Sequence, residues 1–184
     1  MLLLLLALGC HPVAPPPGLP APSDYAREHQ AATREIRVIR DLETRLLMRA
    51  TLLNEDLVDA QALTLAYALG ATPQEHEALR ADLLAELEAY RVVVFAADSP
   101  REDFSLDDDA GWRVRLLADE VPLEGVELTK QDPDAPAIAL LYPQINRWSV
   151  VYRARFARDA GADTLRLVVA GPLGQGQAEW AAGR

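Results

Sequence analysis

The residues that could do chemistry are few and far apart. The chain holds one cysteine, Cys10, and three histidines, His11, His29 and His76. One cysteine excludes an intramolecular disulfide and a cysteine zinc cage, and scattered histidines supply a metal site poorly, so no metal is expected. His29 and Glu43 fall on one seam of an expected helix, but fourteen residues of helix span about 21 Å and keep them from touching. Gly171-Pro172-Leu173-Gly174-Gln175-Gly176 is glycine-dense, yet it lacks the Lys-Ser/Thr of a phosphate loop and precedes a strand, so it reads as a turn. No catalytic residue and no cofactor-binding residue is assigned, and the chain is read as non-enzymatic.

Carboxylates are the exception to this scarcity. They cluster in turns between expected strands: Asp98, Glu102, Asp103 and Asp107–Asp109, then Asp132 and Asp134, then Asp159 and Asp163. If every strand crosses a sandwich from end to end, these alternate loops gather at one acidic end. Oxygen-rich loops so gathered could hold calcium, which takes six to eight oxygens, or pair as general acid and base, and this is the alternative function. Asp107-Asp108-Asp109 lacks the spaced ligands and the turn glycine of an EF-hand loop, which leaves solvated turns as the simpler reading. The same loop parity puts Tyr142-Pro143-Gln144-Ile145-Asn146-Arg147-Trp148 at the other end, near the helices. Its aromatic margins fit either a recognition loop or a packed junction, and the packed reading predicts a buried Trp148.

The elements that must carry these groups divide near residue 90. Ser23 opens an expected long helix to about Leu53, with Tyr25, His29, Ala32, Ile36, Ile39, Leu46, Ala50 and Leu53 along one face. Asn54 caps a second helix to Leu69, closed by Gly70, and Thr72-Pro73-Gln74-Glu75 forms a capping box for a third helix to Ala89. From Arg91 the period becomes two. Strands are expected at Val92–Ala97, Trp112–Ala118, Val126–Lys130, Ala137–Tyr142, Ser149–Ala157, Leu165–Ala170 and Gln177–Trp180. The fold class is therefore α+β, with a helical segment over 23–90 and an antiparallel β-sandwich-like segment over 91–180.

Net charge narrows the partners. With 28 acids against 18 bases in 184 residues, the chain lacks the basic clusters that neutralise phosphates, so no nucleic acid is expected. Met1 to Gly9 is apolar without interruption and too short to span a bilayer, the shape of a signal peptide. Six of the twelve residues from His11 to Pro22 are proline, which makes residues 10–22 a tether. Ala7-Leu8-Gly9-Cys10 resembles the lipobox of bacterial lipoproteins, differing at Ala7, where Leu is usual, and in having no Lys or Arg before Cys10. The resemblance implies removal of residues 1–9, a diacylglyceryl group on Cys10 and three acyl chains in all. It also implies a cell-envelope location, with the membrane as a partner through acylated Cys10. His11 after the cysteine, in place of Asp, resembles the outer-membrane class more than the inner. The expected role is a non-enzymatic binding or assembly component with a protein partner in the envelope.

Overall fold

Between Thr33 and Leu52 two periodicities compete. A four-and-three spacing takes in Ile36, Ile39, Glu43, Leu46 and Ala50, while a spacing of two takes in Ile36, Val38, Leu46, Met48, Ala50 and Leu52. The computed structural model, which describes residues 18–99, 104–106, 111–146 and 148–181, follows the second. Helix α1 (Tyr25–Ala32) passes directly into strand β1 (Thr33–Arg40), which turns and returns as β2 (Glu43–Leu52). The expected helix to Leu53 is thus corrected to eight helical residues and a hairpin, and the expected all-helical segment 23–90 contains two strands. Burial explains why the spacing of two prevails. Val38 and Met48 lie in the core, whereas Ile39, on the helical stripe, is 61% exposed.

The next two helices form where their caps stand. In α2 (Glu55–Leu69) the Asn54 side chain accepts from the Leu57 N–H at 2.8 Å, and Gly70 closes the end at φ 67°. In α3 (Pro73–Ala89) Thr72 and Glu75 exchange the two bonds of a capping box. The chain then enters β3 (Tyr90–Asp98), whose core run Val92–Ala97 is buried on both faces, as a central strand requires. The order continues with β4 (Arg113–Ala118), β5 (Val121–Pro122), β6 (Gly125–Gln131), α4 (Pro136–Leu141), β7 (Val150–Ala157), β8 (Thr164–Gly171) and β9 (Gly174–Ala181). The expected strand at Ala137–Tyr142 is a helix. Pro136 supplies its first turn without a missing bond, and its apolar face, Ile138 and Leu141, covers Val94 and Val151.

Every strand pair is antiparallel. One sheet has the order β1-β2-β3-β7-β6, the other β5-β4-β8-β9. Val93, Phe95 and Ala97 point into the core between the sheets, with Tyr152, Phe156, Leu116, Leu165 and Leu167. Val92 and Val94 point the other way, under the helices. The fold is α+β in three layers: helices, a five-stranded sheet and a four-stranded sheet.

Two features of this frame position everything else. First, one long side of the sandwich is shut where β9 meets β1. Trp180 Nε1 donates to Ala32 O at 2.7 Å, and a Cβ added at Gly176 would lie 2.6 Å from Ile36 Cγ2, so only glycine permits that approach. Second, register defines two ends. Tyr90 pairs with Ala157 at one, and at the other Asp98 pairs with Leu47, so residues 42–46 of the hairpin overrun β3.

Candidate functional site

The long side opposite β9 stays open, and the cause is local sequence. β5 is two residues long and ends in Pro122, which has no N–H to continue a ladder. Among the described residues, nothing then covers the inner face of β6. Leu128 of β6 stands opposite Ala154 of β7, with a register shift between Gly125 and Glu127. Across the gap stand Trp112 and Val114 of the four-stranded sheet. The result is a groove of about 440 Å³ lined by Leu106, Trp112, Val114, Val126, Leu128 and Phe156, within the range of about 300–1,000 Å³ typical of small-molecule sites.

The walls are held firmly. The Tyr152 hydroxyl accepts the Leu106 N–H at 3.0 Å and lies 3.2 Å from Ser105 Oγ, which pins residues 104–106 against the core. Phe104 meets Trp112 edge to face at 5.7 Å. Gly171 is what lets the Trp112 ring lie flat, since a Cβ there would come 2.3 Å from Trp112 Cδ2. Among the described residues only Arg113 and Glu127 bring charge to the lining, and Glu127 is engaged by Arg155, whose guanidinium also lies 5.4 Å above the Tyr90 ring. Such a groove can take an apolar group, and among the described residues its lining holds no Ser, Thr, Cys, Lys or His side chain.

A second concavity, about 530 Å³, lies between α1, α2 and α3. It is rich in charge, but Arg80 grips Asp59 through two bonds of 2.8 and 3.1 Å, and Arg27 holds Glu28 at 2.8 Å and Asp24 at 3.4 Å. Paired, wetted side chains of this kind make a solvated cleft. His76 lines it, on α3, whereas His29 belongs to α1. His29 is buried against Tyr25 and Tyr142, with ring centroids 5.6 and 5.8 Å away, and its burial lowers the imidazole pKa. Glu43 stands at the hairpin tip, away from His29, because the helix expected to join them is a hairpin.

The acidic loops do not gather at one end. Asp98, Asp132 and Asp134 lie at the Asp98 end of the five-stranded sheet, whereas Asp159 follows β7 at the Tyr90 end, where Arg91 binds it at 2.5 and 3.1 Å. The parity failed because 136–141 is a helix and contributes no strand crossing. Asp163 lies beside Asp119, whose carboxylate accepts the N–H groups of Asp163 and Thr164, and these bonds hold its pKa below the usual range. Among the described residues no three His, Cys, Asp or Glu side chains come close enough to hold a metal ion. Cys10, His11, Glu102, Asp103 and Asp107–Asp109 lie outside the described residues.

The turn after α4 divides in two. Tyr142 is buried and its hydroxyl accepts from Gln61 Nε2 at 3.2 Å, as the packed reading requires. Trp148 is 73% exposed, which corrects the expectation that it fills a junction with the third helix. The loop sits at the Asp98 end, since the Ser149 hydroxyl donates to Asp98 Oδ1 at 2.6 Å. Arg147 lies outside the described residues. The groove itself escaped the sequence reading; its one local signal is Pro122 directly after Val121, which forbids a strand long enough to cover β6.

Fold and groove together define a helix-flanked antiparallel sandwich with one open seam. Comparison with protein-family models, with curated proteins and with solved structures gives no match for this chain.

Proposed function

We propose that the chain is a lipid-anchored cell-envelope lipoprotein, held by acylated Cys10, that acts as a non-enzymatic binding component and takes an apolar ligand or ligand segment in the groove beneath β6. The observation that carries the binding half is the inner face of β6, which no described residue covers and where Val126 and Leu128 remain 50% and 39% exposed above a groove whose apolar side chains alternate with Arg113, Glu127 and backbone polar groups. Exposed apolar surface continuous with a core is costly unless something covers it part of the time. The lipobox resemblance at Ala7–Cys10 supports the anchoring half, and the excess of 28 acids over 18 bases argues against a nucleic-acid partner.

Binding is tested with N-phenyl-1-naphthylamine, a dye that brightens in apolar pockets. The protein is expected to bind the dye, and Leu128→Glu to weaken binding about tenfold or more, roughly 1.4 kcal/mol or above. Leu128 is partly exposed, so the substitution should leave the thermal melt unchanged. Equal dye affinity in both proteins would remove the groove from the account.

A further inference from the structure

We propose that the Asp98 end of the fold is a lipid-facing surface, laid against the bilayer that holds the anchor; this rests on the lipoprotein reading above. Three separated segments bring large apolar side chains to that end. At the β1–β2 tip, Leu42 is fully exposed and Ile39 61% exposed. At the end of α2, Leu69 is 77% exposed, and in the turn before β7, Trp148 is 73% exposed. α2 belongs to this end because it starts beside Val92, where Leu53 N–H meets Val92 O, and runs until Leu65 packs with Val94 and Val151.

Two of these exposures are built in. Asp41 and Leu42 form the hairpin turn at φ 54° and 65°, positions that favour Asn and Gly. A branched apolar residue is there both strained and wetted, a combination that suggests a partner. Trp148 stands on a braced turn: its N–H donates to Asn146 Oδ1 at 2.8 Å, and Ser149, next along, is bonded to Asp98, which Arg49 holds in turn. A rigid aromatic with a polar edge suits the zone between headgroups and acyl chains.

The occupant follows from where the chain enters. Gly18 sits against Pro73, at the start of α3 and so at the same end, and Pro22 lines the cleft beside α1. Only residues 11–17 then separate this contact from Cys10, a reach of about 25 Å in a polyproline helix at about 3.1 Å per residue and under about 30 Å even fully extended. A tether this short holds the nearest face close to the surface, where weak apolar contacts suffice at high effective concentration. At this end Arg40 and Arg45 are paired with Asp41 and Glu43, and Asp132 and Asp134 add negative charge, so the contact rests on the apolar side chains and needs no anionic lipid.

Tryptophan emission reads the geometry, because Trp112 and Trp180 are buried and Trp148 is the exposed reporter. The full chain is placed on phosphatidylcholine vesicles with and without brominated acyl chains, either as the acylated protein or with Cys10 coupled to a maleimide lipid. Brominated lipid should quench the Trp148 component in both arms, at low and high salt, and Trp148→Phe should abolish the quenching. In that background Val121→Trp, at the opposite end, should stay bright. Equal emission on the two kinds of vesicle, with Trp148→Phe melting normally, overturns the proposal. Lack of acylation in cells together with quenching in the maleimide arm would defeat the lipoprotein reading and leave the lipid-facing end standing.

Discussion

Asp159→Ala is expected to lower the unfolding free energy by about 3 kcal/mol, because it leaves the part-buried Arg91 guanidinium without its two-bond partner. Side-chain exposures of 12% and 5% leave little water to replace the lost partner. The carboxylate also accepts the N–H groups of Gly161 and Ala162 at 3.0 and 2.7 Å, so the turn into β8 loosens with it. The Arg91 hydrogen bond holds this carboxyl well below the usual range. With the folded value depressed, the stabilisation is complete above the unfolded value of about 3.9 and is lost as pH falls further, through the folded one. Urea melts at neutral pH and below pH 4 should therefore show a wide gap between the two proteins that narrows on acidification. A gap that does not change with pH would contradict the assignment.

Trp180→Ala should cost a similar amount, about 3–5 kcal/mol for a buried tryptophan. Trp180 is 4% exposed in β9, and its ring N–H bonds Ala32 O, so it ties the end of α1 to the closed side of the sandwich. Trp180→Phe keeps much of the packing yet leaves that carbonyl without its donor, at about 1–3 kcal/mol. Equal midpoints for Trp180→Ala and the parent protein would show that the closed seam contributes nothing.

Where local chemistry decides, the sequence was legible. Asn54, Gly70 and the Thr72–Glu75 box mark α2 and α3 within themselves, and the Arg/apolar alternation of β4 and β7 announces strands with one wet face. The Gly171–Gly176 stretch contains the β8–β9 turn that its glycines suggested, at Pro172-Leu173, while Gly174–Gly176 already belong to β9. Where two periods fit the same residues, long-range pairing decides instead. β1 and β2 owe their state to β3, which is out of sight from residues 33–52, and the Asp41-Leu42 turn contains no glycine or proline to mark it. The six apolar residues at 137–142 are equally short of information, since a run that brief fits a strand or a buried helix turn. That one misreading carried through to the loops, because a lost crossing moves Asp159 to the far end and Trp148 away from the third helix.

The groove was illegible for a different reason. It is an absence of cover, set by the mismatch between a five-stranded sheet and a four-stranded one whose edge strand stops at Pro122. Nothing in Val126 or Leu128 themselves says that no strand will lie above them.

Intact mass of the protein extracted from membranes tests the central claim most directly, because anchoring and envelope location both hang on Cys10. The account predicts a chain that begins at Cys10 and carries the mass of a diacylglyceryl group with a third acyl chain, absent from a Cys10→Ser protein, which should leave the membrane fraction. A mass equal to the unmodified chain from Met1, with Cys10→Ser still sedimenting with membranes after a salt wash, would contradict it.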